Sequence, residues 1–97
     1  MIRTEEIFTD FREQIRRISA QHGGANVRVF GSCARAQDGP ASDLDLLVDL
    51  APGRSLLDLI AIKQDLEDLL GRPVDVATER SLSPYVRESI LKDAVPL

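Results

Sequence analysis

Val27-Arg-Val-Phe-Gly-Ser-Cys-Ala-Arg-Ala-Gln-Asp-Gly-Pro-Ala-Ser-Asp-Leu-Asp-Leu-Leu-Val-Asp-Leu50 is the stretch that decides the fold. A short apolar run over 26–30 breaks at Gly31-Ser32, and ten residues separate Ser32 from a second run that opens on Asp43-Leu44-Asp45. An apolar run that stops at glycine marks a strand ending in a turn. The second run, Leu44 to Leu50, alternates Leu44, Leu46 and Val48 against Asp43, Asp45, Leu47 and Asp49. Asp43 and Asp45 therefore share one strand face. Two carboxylates can share a cation only when they point the same way.

Upstream, residues 4–22 read as one helix. Thr4 can cap it, Glu5 and Glu6 favour its first turn, and Ile7, Phe8, Phe11, Ile15 and Ile18 form one apolar stripe before Gly23-Gly24 stops it. Between the two strands, Ser32 to Arg35 can start a short helical turn, and Asp38-Gly39-Pro40 is a loop signal. Downstream, Ala51-Pro52-Gly53 ends the strand and Ser55 caps a helix over 56–70. Its stripe is Leu56, Leu59, Ile62 (or Ile60), Leu66, Leu69 and Leu70, and Gly71 closes it. Pro73-Val-Asp-Val-Ala77 reads as a third strand with Asp75 at its centre. Ser83 and Pro84 open a last helix that runs to about Asp93 and buries Val86, Ile90 and Leu91. The order helix, strand, strand, helix, strand, helix predicts an α/β (α+β) domain. A small mixed sheet of about three strands is flanked by helices, in a single domain over 1–97.

Composition narrows the function. Ninety-seven residues, 43% of them hydrophobic, suffice for one core without disulfides or structural metal. The net charge of −4 opposes nonspecific binding to nucleic acid or to anionic membrane. Phe8, Phe11, Phe30 and Tyr85 are the only aromatics, too few for a stacking platform on single strands. No apolar run approaches the roughly 20 residues of a membrane helix. With Cys33 the only cysteine and no signal peptide, the expected setting is the reducing cytoplasm.

Asp43 and Asp45 are either an exposed strand end or a pair of hard oxygen ligands of the kind that suits Mg2+. Asp75 weighs toward the second reading, because a strand beside 44–50 would bring it to the same place. Three carboxylates can hold two metals, one on the leaving group and one on the attacking oxygen. Gly31 would let backbone approach a triphosphate, and Ser32 offers a hydroxyl and N–H groups to phosphate oxygens. Arg35 can add positive charge there, or it can be a surface residue or pair with Asp38. Cys33 reads as a small packing residue, His22 as a polar helix terminus, and Asp49 and Glu79 as acids outside the pattern. An EF-hand loop from Asp43 fails at Leu47, Val48 and Arg54, and no Walker A or dinucleotide glycine pattern occurs.

Phe30-Gly-Ser, ten residues, Asp43-Leu-Asp45 and a third acid on a later strand resemble the signature of the DNA polymerase beta-like nucleotidyltransferase superfamily. The Gly-Ser-Cys-Ala-Arg and Ser-Asp-Leu-Asp-Leu-Leu-Val wording and the ending Ser83-Pro-Tyr-Val-Arg-Glu-Ser-Ile-Leu-Lys-Asp-Ala-Val95 are similar to its smallest members, the minimal nucleotidyltransferases. Ala36 stands where many relatives have glycine. The resemblance implies a nucleoside triphosphate, ATP, held at Gly31 and Ser32, and Mg2+ held by Asp43 and Asp45. It implies Asp75 as the third acid, which helps activate the acceptor hydroxyl. It also implies a role as antitoxin. The partner would be a HEPN-domain ribonuclease toxin, silenced when AMP passes to one of its tyrosines in a hetero-oligomer. Two other readings stay open: neutralisation by binding and occlusion alone, and nucleotidyl transfer to a small molecule.

Overall fold

The computed structural model describes residues 2–35 and 43–97. The loop signal at Asp38-Gly39-Pro40 and the departure at Ala36 lie outside the described residues. The elements run α1 (Thr4–Phe8), α2 (Arg12–Gln21), β1 (Gly24–Phe30), β2 (Leu44–Leu50), α3 (Leu56–Leu70), β3 (Val74–Ala77), a 3-10 turn (Glu79–Ser81), α4 (Pro84–Asp93) and β4 (Val95–Pro96). The sheet order is β3-β2-β1-β4. β2 pairs β1 antiparallel and β3 parallel, and β4 pairs β1 antiparallel. The helix α3 is the crossover that a parallel pair requires.

The mixed sheet flanked by helices stands as expected, with three corrections. The expected helix over 4–22 is two helices. Thr9 turns its hydroxyl back to donate to the Glu5 carbonyl at 3.0 Å, and the N–H groups of Asp10 and Phe11 both donate to the Glu6 carbonyl. A threonine hydroxyl competes with helical bonding in this way, and the ladder breaks here. The stripe survives the break: Ile7 and Ile15 are fully buried, and Phe8, Phe11 and Ile18 pack beside them.

Second, the sheet has four strands. Val95–Pro96 is too short to read from sequence, but the Leu97 N–H donates to the Val27 carbonyl at 2.9 Å and Leu97 is buried. Proline is tolerated there because β4 is an edge.

Third, two apolar helix faces are less buried than their spacing implies. Leu56 is 69% exposed and Ile60 is exposed, while Ile62, Leu66 and Leu70 are buried, so Ile62 carries the α3 stripe. On α4, Val86 and Leu91 are exposed and no residue is fully buried.

The core joins Val27 and Val29 of β1, Leu44, Leu46 and Val48 of β2, Val74 of β3 and the α3 stripe. Strand alternation thereby fixes which side chains face away from it. Leu66→Ala is expected to destabilise the fold by about 2–5 kcal/mol, because it empties a fully buried site. Leu56→Ala should stay within about 0.5 kcal/mol. Urea titrations of both variants check this.

Candidate active site

Asp45 and Asp75 are direct register partners on the parallel strands β2 and β3. Each is held by its neighbours. Leu44 and Leu46 are fully buried around Asp45, and Val74 is buried before Asp75 with Val76 packed against the core. Both acids must therefore project from the opposite face. Asp43 lies exposed just ahead of β2, whose start is tied down by Leu44 N–H donating to the Pro73 carbonyl at 2.9 Å.

Gly31 reaches the same place from β1, whose last residue Phe30 pairs with Asp45. Its φ of +73 is in the left-handed region that favours glycine. A Cβ built there would overlap Asp45 Oδ2. So glycine is required twice at this position, by conformation and by contact. Ser32 follows, half-buried, in a single turn closed by the Arg35 N–H donating to the Gly31 carbonyl at 3.3 Å. This is the short helical turn expected over 32–35.

Burial pushes the Asp45 carboxyl above its ordinary value; Asp75 and then Asp43 push it the same way, and Arg35 opposes them. These are like charges crowded together with too little positive charge nearby. Among the described residues, no three carboxylate, imidazole or thiol side chains close into a ready-made cation cage. The donor set still fits Mg2+, which takes one or two carboxylates and completes its shell with water and phosphate oxygens. The bare Gly31 backbone lies directly against the Asp45 carboxylate of that set.

The remaining candidates fall outside it. Arg35 sits 3.9 Å from Asp93 at the end of α4, and its charge reaches Asp45. Cys33 is buried, its thiol 3.6 Å from the Asp43 carbonyl, as a packing residue should be. His22 joins Asp65 of α3 at 2.8 Å. Asp49 and Glu79 both bind the Arg28 guanidinium, at 2.9 and 3.2 Å, toward the far end of β2. Those two acids share one guanidinium; among the described residues, Asp43, Asp45 and Asp75 have no such ion pair.

Two groups near the site escape a reading by motif. The guanidinium of buried Arg72 donates to the Ile2 carbonyl and to the Cys33 sulfur, tying the turn after Gly31 to the start of β3. On α3, the Lys63 ammonium donates to Glu67 Oε2 at 2.8 Å and to the Val74 carbonyl at 2.9 Å, while that Oε2 accepts the Val74 N–H at 3.0 Å. The i,i+4 spacing of Lys63 and Glu67 is visible in the sequence, but their contact with β3 is not.

A family model described as a nucleotidyltransferase domain matches residues 11–97. A protein of Methanocaldococcus jannaschii named as a protein adenylyltransferase is 41% identical over 86 residues, 89% of this chain and 92% of that protein. The protein adenylyltransferase MntA of Thermococcus cleftensis is 33% identical over 95 residues, 98% of this chain and 96% of that protein. The solved structure of a minimal nucleotidyltransferase superposes with a TM-score of 0.87 at 46% identity, covering 99% of this chain and 97% of that one. A toxin–antitoxin crystal structure with AMP-PNP has the same fold at 20% identity, with a TM-score of 0.67 over 98% of this chain and 72% of that one.

Gly31→Ala should cost more than the same change at Gly53, where φ is also positive but a Cβ meets nothing. Gly53→Ala pays conformational strain alone, about 1–2 kcal/mol, and Gly31→Ala adds displacement of Asp45; urea midpoints of the two variants rank them. The Glu67 carboxyl is held low, first by Lys63 and then by the Val74 N–H. A depressed carboxylate stabilises fully above its ordinary value of 4.5 and loses that contribution as pH falls through its lowered value. Glu67→Gln should therefore flatten the acid limb of stability against pH below that point, read by urea titration across the acid range.

Proposed function

Because this chain belongs to the nucleotidyltransferase family and has the form of a minimal nucleotidyltransferase, we propose that it transfers AMP from ATP to a tyrosine of a partner toxin of the HEPN ribonuclease type, and so acts as its antitoxin. The observation that supports this best is the pairing of Asp45 with Asp75 across β2 and β3, directly beside the Gly31 turn. The relatives named as protein adenylyltransferases favour a protein acceptor, and the toxin–antitoxin complex that shares the fold favours a toxin. The chain forms a hetero-oligomer with its target in the cytoplasm. Among the described residues, no helix is long and apolar enough to cross a membrane.

In the reaction, the N–H groups and hydroxyl at Gly31 and Ser32 hold phosphate oxygens of ATP. Asp43, Asp45 and Asp75 are the residues that would hold Mg2+, which supplies positive charge against the charge of the triphosphate. Arg35 adds positive charge at the same end. The tyrosine oxygen attacks the α-phosphorus in line. A new P–O bond forms, the bond to the α,β-bridging oxygen breaks, and pyrophosphate leaves. Asp75, on the edge strand β3, draws off the phenolic proton. Most of the acceleration comes from positioning and fixed charge.

Mixing the purified chain with ATP, Mg2+ and its toxin should make the toxin heavier by AMP units in intact-mass measurement. Asp43→Ala/Asp45→Ala should lower the rate roughly 10³-fold or more, the loss expected when several kcal/mol of charge stabilisation disappear. A toxin that is inhibited but never gains mass would replace this reading with neutralisation by occlusion.

A further inference from the structure

We propose that Lys63 and Glu67 are positioning residues for nucleotidyl transfer: together they clip the open edge of β3 at Val74 and thereby fix the direction in which Asp75 projects. This rests on the reading above that Asp75 serves the reaction.

β3 is only four residues long and has a strand on one side alone. Such a strand has little to hold it in register, since its outward N–H and C=O groups have no ladder partners. At Val74, the residue just before Asp75, both outward groups are taken by α3. The N–H donates to Glu67 Oε2 at 3.0 Å and the C=O accepts from Lys63 Nζ at 2.9 Å. The two side chains are bonded to each other at 2.8 Å through that same Oε2. One acceptor and one donor, locked as a pair, stand where the next strand would be.

An ion pair this exposed, with side chains 43% and 33% accessible, has little value as a surface salt bridge. Its use lies in the two backbone contacts. The Val74 side chain is buried on the core face, so the clip and the core together immobilise the peptide from which Asp75 departs. The ammonium also feels Asp75 and Asp43, after the larger influence of Glu67. It therefore sets a fixed positive charge beside the acids without occupying their face. Carboxylates in a site of this kind must be held within about 0.5 Å of their working position, and a displacement of about 1 Å can cost 10²-fold in rate.

The decisive variant is the exchange Lys63→Glu/Glu67→Lys. It retains an ion pair at the same two positions, but a carboxylate cannot donate to the Val74 carbonyl and an ammonium cannot accept its N–H. The exchange and Lys63→Met should each lower kcat for AMP transfer about 10- to 100-fold while KM for ATP stays within about twofold. Lys63→Arg, which can still donate, should recover most of the rate. In an Asp75→Asn background, Lys63→Met should cause no further loss. Amide exchange at Val74 gives a readout apart from activity: protection should fall in the exchanged variant while Leu46 and Val29 keep theirs. Wild-type kcat in the exchanged variant, an equal Lys63→Met loss with and without Asp75, or unchanged Val74 protection would each overturn the proposal. A wild-type chain that transfers no AMP at all would sink the functional reading instead, and the exchange data would still decide whether the clip exists.

Discussion

The part-buried carboxylate of Asp45, held beside that of Asp75, is the constraint on which this structure turns. Asp43, Asp45 and Asp75 gather at one end of a small sheet, and partial burial makes their mutual repulsion worse for Asp45. Left to themselves, such groups would move apart. They cannot, because each strand acid is flanked by residues committed to the core: Leu44 and Leu46 about Asp45, Val74 and Val76 about Asp75. Turning either acid away would bring its neighbours out of the core, at about 1.5–3 kcal/mol for each large apolar side chain exposed. Hydrophobic burial thus holds the like charges of Asp45 and Asp75 side by side, and the site is left short of positive charge in the way a cation would satisfy.

The other acids of the sheet show the contrast. Asp49 lies on the same strand and by alternation on the same face, yet it is matched by Arg28 and Asn26. Glu79 shares that guanidinium. One end of β2 has a guanidinium bonded to its acids, and Gly31 lies at the other end, against Asp45. The absence of a Cβ there permits the left-handed backbone and lets it meet the Asp45 carboxylate. Lys63 and Arg72 bring cations near this end, Lys63 bonded to Glu67 and the Val74 carbonyl, and Arg72 to the Ile2 carbonyl and the Cys33 sulfur.

Much of this was legible from the residues alone. The parity of Leu44, Leu46 and Val48 placed Asp43 and Asp45 on one face, and the valines about Asp75 placed it similarly, because alternation is a local property of extended chain. The capping serines Ser55 and Ser83 were equally local, and both accept the expected backbone N–H. What escaped depended on contacts distant in sequence. β4 exists only because β1 has a free edge for Val95 to meet. The break at Thr9 and Asp10 was masked by an apolar stripe that continues through it. The clip at Val74 joins positions whose neighbourhood is fixed only once α3 packs on β3. The exposure of Leu56 was hidden for the same reason, since a stripe records spacing and not the length of the surface it covers.

If Asp45 and Asp75 form one site across β2 and β3, their losses must not be independent. The most direct measurement is a double-mutant cycle on kcat for AMP transfer, with Asp45→Asn, Asp75→Asn and the pair, in chains shown to be folded by their urea midpoints. Residues that act as a unit should give a double variant no slower than the worse single one. A double variant whose loss equals the product of the two single losses would mean that the carboxylates work separately, and that their pairing in the sheet is not the basis of the chemistry.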